Sequence, residues 1–435
     1  MIELDLIIQQ SLKVFNMPAT LDMKQIVQLR GQFPALQRKV GNQTAIFFDG
    51  PAGTQVPQRV IDVMTHYLSE TNANHGGSFA TSIESDCILA ESHQAFADLF
   101  NTDDPDELYF GQNMTSLTFA LSRSLAQTWD PGDEIVVTRL DHDANVMPWI
   151  LAARDRDVTV RHVAFRDDDF LLDMDSLRAA LSEKTRLVAV GCASNATGGI
   201  NSVREIADLA HEVGALVLLD AVHSAPHRLI DVRAFECDFL VCSAYKFFGP
   251  HIGTMWGRRE LLEQLAAYKV RPATDSLPGK WMTGTQSHES IAGAAAAIDY
   301  VADIGRQSTG NAALSRREAL CQAYSAIGQY ESDLSCYLAR QLRTIPGLKI
   351  WGVTDESQFD KRCSTFSITL EGVEPQQMAQ RLADSGIFVW HGNYYALEFT
   401  QCCGLEPQGM LRVGLVHYNT TEEIDRLAGE LRSLS

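Results

Sequence analysis

The 435-residue chain has no CxxC pair, no zinc-site cysteine spacing, no internal repeat and no low-complexity segment. It has no apolar run approaching the roughly 20 residues that a membrane-crossing helix needs. Basic residues are scarce: 36 Lys and Arg stand against 55 Asp and Glu, a net charge of −19. A field of that sign repels nucleic acid and anionic membrane surfaces, which excludes both as partners. The nine cysteines (Cys87, Cys192, Cys237, Cys242, Cys321, Cys336, Cys363, Cys402 and Cys403) are odd in number, and most sit in apolar surroundings such as FLVCSAY. They read as reduced, packed thiols of a cytoplasmic protein, with no metal site. The opening MIELDLIIQQSLKVFNMP lacks a basic leader and carries Glu3 and Asp5, which argues against a secretory signal.

Hydrophobic residues make up 45% of the chain and charged residues 21%, an ordinary globular composition, and the length predicts two domains. Apolar runs alternate with helical patterns in DELYFGQNMTSLTFALSRSLA, GDEIVVTRLDHDANVMPW, RLVAVGCASNATGG and ALVLLDAVHSAPH. This alternation predicts an α/β fold built on a largely parallel, doubly wound sheet. MKQIVQLRGQF reads as an exposed helix, and RREALCQAYSAIGQYESDLSCYLARQLRTI as a long bridging helix. Past residue 345, LKIWGV, CSTFSITL and GIFVWHG read as short strands of a smaller α+β domain. Thr420 and Glu423 have the spacing of a capping box that opens the last helix. The resulting division is an N-terminal arm over 1–30 packing with the small domain, a large domain over 31–310 and a small C-terminal domain over 311–435.

Ligands of open α/β sheets sit beyond the carboxyl ends of the strands. The residues expected there are Asn113, Met114, Thr115, Asp141, His142, Ser194, Asn195, Asp220, His223, Ser243 and Lys246. A lone strand-end lysine is usually a surface residue with its stem laid on apolar atoms, and a strand-end aspartate is often a helix cap. A lone histidine is more often structural than catalytic. In this order the set suits pyridoxal 5'-phosphate. That cofactor takes a lysine amine on its aldehyde, a carboxylate on its ring nitrogen, a flat side chain on its ring and amide donors on its phosphate. Lys246, Asp220, His142 and the Asn113–Thr115 turn with Ser243 fill those places, with Asn195 near the phenolic oxygen.

From FFDGPAG near residue 48 to LRVGLVHYNT near 419, the chain resembles the class V aminotransferase fold family, in particular its cysteine desulfurase and selenocysteine lyase branch. DHDANVMPW, SNATG, LLDAVHSAPH and SAYKFFGP carry the resemblance in family order. It implies fold type I, with a mostly parallel seven-stranded sheet in the large cofactor-binding domain. It makes Lys246 the Schiff-base lysine, Asp220 the partner of the ring nitrogen and His142 the stacked ring. It puts Asn195 and His223 near the phenolic oxygen, and Asn113, Met114, Ser243 and Tyr245 on the phosphate. Thr285, in GTQSHES, would reach the phosphate of a neighbouring subunit, which implies a homodimer with shared sites. Arg412 would grip the substrate carboxylate, and His75 would stand in the substrate-access loop.

The chain departs from the desulfurase pattern where those enzymes carry a mobile cysteine nucleophile. Here VWHGNYYALEFTQCCGLEPQGMLRVG holds His391, Gly392, Asn393, Tyr394 and Tyr395 at that place. Cys402 and Cys403 lie nearer Arg412 and read as adjacent packed thiols. The expected activity is that of a pyridoxal-phosphate enzyme on a small amino acid, a C–S or C–Se lyase without the usual cysteine. The alternatives are an aminotransferase or epimerase of the same fold, and a non-catalytic cofactor-binding partner. A sulfur-acceptor protein is left open.

Overall fold

The computed structural model describes residues 20–434, so residues 1–19 of the expected N-terminal arm lie outside the described residues. Seven strands form the main sheet: β1 Leu108–Gly111, β2 Glu134–Thr138, β3 Thr159–Val163, β4 Thr185–Gly191, β5 Leu216–Asp220, β6 Phe239–Ser243 and β7 Gly253–Gly257. Their order is β1-β7-β6-β5-β4-β2-β3. The β3, β2, β4, β5 and β6 strands pair in parallel, while β7 runs antiparallel to both β6 and β1. This is the seven-stranded, mostly parallel sheet that the family resemblance implies.

Successive side chains of β4 go to opposite faces, Leu187 and Ala189 into one apolar cluster, Val188 and Val190 into the other. Both faces are buried, which is why these strands read as continuous apolar runs rather than as alternating ones. The helices that frame the sheet and carry the chain onward are α1 Met23–Arg30, α2 Ala80–Phe100, α3 Met114–Ala126, α4 His288–Thr309, α5 Arg316–Arg343, α6 Pro375–Asp384, α7 Leu397–Cys402 and α8 Thr421–Arg432. The α1 helix is amphipathic rather than simply exposed. It buries Ile26 and Leu29 and opens on an Asp22–Gln25 capping box. Arg30 at its end pairs with Glu423 at 2.7 Å and donates to the Tyr418 carbonyl, tying this segment to the C-terminal region. The Thr420–Glu423 capping box is present at the start of α8.

A second sheet takes β8 Leu348–Trp351, β9 Thr365–Leu370, β10 Trp390–Gly392 and β11 Met410–Gly414 in the antiparallel order β8-β9-β11-β10. The stretch GIFVWHG, expected as one strand, breaks in two. Ile387 and Phe388 pair in parallel with Ile46 and Phe47, whereas Trp390–Gly392 pairs with β11. Two different partners compete for one apolar run, and the chain turns at Val389 to serve both. The pairing also draws residues 46–48 against the small domain's core, where Ile46 and Phe48 pack with Leu411, Val413 and Leu415.

At the carboxyl edge of the main sheet, Gly253 lies between Gly111 and Ser243 in the strand register. A Cβ at Gly253 would come within 2.4 Å of the Asn113 backbone carbon. Only glycine lets β7 pass so close to the turn that opens α3. Gly253→Ala should therefore cost about 1–3 kcal/mol by overpacking. Its melting temperature should fall, and cofactor retention should weaken with it, whereas an alanine tolerated at wild-type melting temperature would contradict this packing.

Candidate active site

The carboxyl ends of β2, β4, β5 and β6 open on a cavity of about 200 Å³, closed on its far side by Trp390, Tyr394 and Arg412 of the small domain. Asn113, Met114, His142, Asn195, Asp220, His223, Ser243, Tyr245, Lys246 and Arg412 all line it. Residues up to 299 apart in sequence thus meet at one place, and ten of the twelve expected site residues are among them.

Each is positioned by local structure. Asn113 caps α3, its Oδ1 accepting from the Ser116 amide at 2.9 Å. The next amide, Met114, donates to Ser243 Oγ at 3.0 Å, which locks the turn to the end of β6. His142 Nδ1 accepts from the Ala144 amide at 3.0 Å, and its ring stacks on Tyr395 at 5.3 Å and 27°. Tyr245 stacks on His251 at 4.9 Å and 14°. Arg412 is 3% exposed. Its Nη1 donates to the Asn195 carbonyl at 2.8 Å, and its guanidinium lies 4.3 Å from the centre of the Tyr394 ring.

Lys246 is half-buried, and its Nζ donates to the carbonyls of Pro51 and, at 3.2 Å, Ala52. Burial lowers its pKa to about 7, helped by the nearby Arg412 and opposed by Asp220. Burial raises Asp220 to about 6, against a 2.8 Å hydrogen bond from the Val222 amide and the charge of Lys246. Arg412 is lowered to about 10 by burial. His142 falls to about 4 through burial and the two cations, and His223 is held well below its ordinary value chiefly by burial. The His142 and His223 imidazoles are thus neutral at pH 7.

Four buried polar atoms of residues lining this cavity have no hydrogen-bond partner: Asn195 Oδ1, His223 Nε2, Tyr394 Oη and Arg412 Nε. A buried polar group without a partner is costly, so their orientation suits a polar ligand. Lys280 makes a useful contrast. It is also buried, but its amine donates to the Leu262 and Glu263 carbonyls away from this cavity.

His75 and Thr285 are not brought to this site. Both are exposed and line a separate cavity of about 430 Å³ with His93 and His288. The expectation for Cys402 and Cys403 as packed thiols fails in part. Cys402 is exposed, with Arg139 Nη1 3.3 Å from its Sγ, and Cys403 is half-buried. The α7 helix that carries Cys402 is short and lies at the rim, so its end is not covered. Neither thiol lines the main cavity, and no other cysteine does.

The Aminotransferase class-V family profile matches residues 46–427. An aminotransferase-like protein, FGM3, of Gibberella zeae is 34% identical over 413 residues, covering 92% of this chain and 96% of its own. A cysteine desulfurase of Synechococcus elongatus is 31% identical over 423 residues, 94% of this chain; the chain spans only 63% of that relative's length. The apo cysteine desulfurase of Thermococcus onnurineus NA1 shares the fold at a TM-score of 0.82 and 24% identity, over 96% of this chain and 99% of that one. The chain belongs to the class-V aminotransferase family. It is therefore a pyridoxal-phosphate-dependent enzyme.

The cavity of this class-V enzyme fits its cofactor. Lys246 could hold the aldehyde carbon, Asp220 the ring nitrogen, and the Asn113–Met114 turn with Ser243 the phosphate. His223 Nε2 could donate to an oxygen on the ring, and Asn195 Oδ1 could accept from that oxygen when it carries a proton. Asp141, expected at the strand ends but given no role by the sequence, also stands here, as do residues that the sequence left aside. Asp141 Oδ1 accepts from the Gly191 amide at 2.7 Å, and a Cβ on Gly191 would strike that oxygen at 2.6 Å. Burial and the neighbouring Asp220 raise Asp141 to about 8, so it keeps its proton and leaves Asp220 as the charged member. Asp49 Oδ1 is buried without a partner near Arg412, and burial raises this carboxyl to about 6. Below the sheet edge, His227 and Glu331 share a buried 2.6 Å hydrogen bond next to the His223 ring. FFDGPAG carried a signal for Asp49 and the Pro51–Ala52 carbonyls. Glu331 gave none.

With its pKa near 7, the Lys246 amine of the cofactor-free protein is uncharged above that pH and protonated below it. The rate of pyridoxal-phosphate loading should rise about tenfold from about pH 5 to pH 6 and flatten above about pH 8. Stopped-flow absorbance checks this. A rate still climbing past about pH 10 would belong to an ordinary, solvated lysine.

Proposed function

We propose that this class-V enzyme is a β-eliminating C–S lyase acting on a cysteine-derived amino acid, without a protein cysteine as sulfur acceptor. The observation that carries the reading is the cavity's lining: a half-desolvated lysine amine, a buried arginine and no thiol. When bound, pyridoxal phosphate supplies an electron sink for negative charge at the substrate's α-carbon.

The chain's own groups account for the rest. Arg412 offers a planar, bidentate donor pair to the α-carboxylate. The Lys246 amine, lowered to about 7, can take the α-proton and return it near neutral pH. The S–Cβ bond then breaks, and the thiolate leaves with a proton. With one water the organic balance is pyruvate, ammonium and a free thiol. Asp220, left ionised beside a protonated Asp141, supports a positive charge on the ring nitrogen.

The tyrosine loop supports elimination over persulfide chemistry. Tyr394 and Tyr395 both have left-handed backbones, at φ 54° and 60°. Such residues cost about 1–3 kcal/mol each and persist only where their surroundings hold them. The Asp143 amide donates to the Tyr395 carbonyl at 2.7 Å, and Asn195 Nδ2 to the Tyr394 carbonyl at 2.9 Å. A loop pinned this way suits a fixed wall better than a swinging nucleophile. Amino transfer is the second reading, favoured by the aminotransferase-like relative of Gibberella zeae.

We also infer that the enzyme works as a homodimer in the cytoplasm. The separate, exposed cavity of His75 and Thr285 suits side chains that complete a neighbouring subunit's site, and the unpaired cysteines suit a reducing compartment.

S-substituted cysteines should yield pyruvate and thiol, assayed together. Lys246→Ala should lose at least about 10²-fold in rate, and Arg412→Lys about 10-fold or more in kcat/KM. The double variant Cys402→Ser, Cys403→Ser should keep its rate. Transfer of the amino group to a keto acid with no pyruvate would overturn the lyase reading in favour of the second.

A further inference from the structure

We propose that Trp390, Tyr395 and the ring of His142 form a specificity wall. It selects a substrate whose sulfur carries a large apolar, aryl-type substituent rather than free cysteine. The inference rests on the lyase reading for which bond breaks, but not for how the side chain is chosen.

The cavity lining has two chemically distinct sets of side chains. Lys246, Asp220, Asn195 and Arg412 are its polar set and Trp390, Tyr394 and Tyr395 its aromatic set, and the two meet where the Arg412 guanidinium lies 4.3 Å from the centre of the Tyr394 ring. Trp390 is paired with Arg412 across β10 and β11. Cross-strand partners put their side chains on the same face, so the indole stands next to the guanidinium. Whatever amino acid binds with its carboxylate on Arg412 has an indole as the adjoining surface.

Tyr395 continues this surface. Its ring lies on His142 at 5.3 Å, while its backbone carbonyl is held by the Asp143 amide and its amide by Asn393 Oδ1 at 3.1 Å. The ring is thus fixed at the cavity mouth, yet it is 71% exposed, and Trp390 is 52% exposed. Large rings normally contribute by being covered, and aromatic pairs add to that by offset or edge contact. These two are held in place by the site but covered by nothing in the fold. The CH2–SH of free cysteine ends at one sulfur atom and is too short to lie across either ring. An S-aryl or S-benzyl group projects a flat apolar surface beyond that sulfur, which is the shape and polarity the wall lacks.

The test measures binding separately from turnover, on the cofactor-loaded enzyme. S-Phenylcysteine carries a leaving group. Homophenylalanine, its carbon isostere, has none and reports binding alone. Calorimetry should give homophenylalanine at least about tenfold tighter binding than L-alanine. That preference should fall about tenfold in Tyr395→Ala and in Trp390→Ala, and persist in Tyr395→Phe. Both replaced rings are exposed, and cofactor content with melting temperature verifies the fold of each variant. Equal affinity for homophenylalanine and alanine, or a preference that survives in both alanine variants, would overturn the wall. Should the preference behave as expected while S-phenylcysteine releases no pyruvate, the wall stands and the lyase reading falls.

Discussion

The site depends on two cations sharing one desolvated cavity. Lys246 and Arg412 face the same space; burial lowers the affinity of each for a proton, and the charge of Arg412 lowers that of Lys246 further. Arginine holds its charge in almost any surroundings, so the lysine yields. Its amine is held by the Pro51 and Ala52 carbonyls in a state ready to give up a proton near neutrality. An amine in that state is a nucleophile toward an aldehyde and a base toward a carbon acid. The scaffold's work is to maintain this opposition: β6 delivers the lysine, β11 delivers the arginine, and the 46–52 segment lies against both domains.

The acidic side of the cavity has a matching division. Asp141 and Asp220 are both buried, and two carboxylates so placed cannot both ionise cheaply. Burial and the charge of Asp220 push Asp141 up to about 8 against the Gly191 amide donor, so Asp141 takes the proton and Asp220 is left charged toward the cavity. The pinned Tyr394–Tyr395 loop occupies the place where relatives of the desulfurase type are expected to have a moving cysteine. Together these features give a site whose lining sets a near-neutral amine beside a buried arginine and a charged carboxylate, and holds no thiol.

Much of this was legible in the sequence. Buried parallel strands announce themselves as apolar runs, and the polar residue that ends each run must face the crevice, so Lys246, Asp220, His142 and Asn195 could be placed together. Arg412 lies in a different domain and needed the family resemblance. GIFVWHG misled because strand propensity does not say which partner a strand will take, and here two partners divide it. Cys402 misled because neighbouring thiols suggest packing, whereas a short rim helix leaves one uncovered. Glu331 was invisible: it lies within the polar pattern YESDLS of α5, and only the fold shows that His227 meets it 104 residues away. Tyr394 and Tyr395 were visible as residues, but their left-handed backbone and fixed carbonyls belong to tertiary structure alone.

The central claim is that Lys246 is the amine that carries the cofactor. Borohydride reduction of the holoenzyme followed by peptide mass mapping tests it directly. The account predicts a single phosphopyridoxyl group on the peptide containing Lys246. A label on another lysine, such as the buried Lys280, or no covalent label at all, would contradict it.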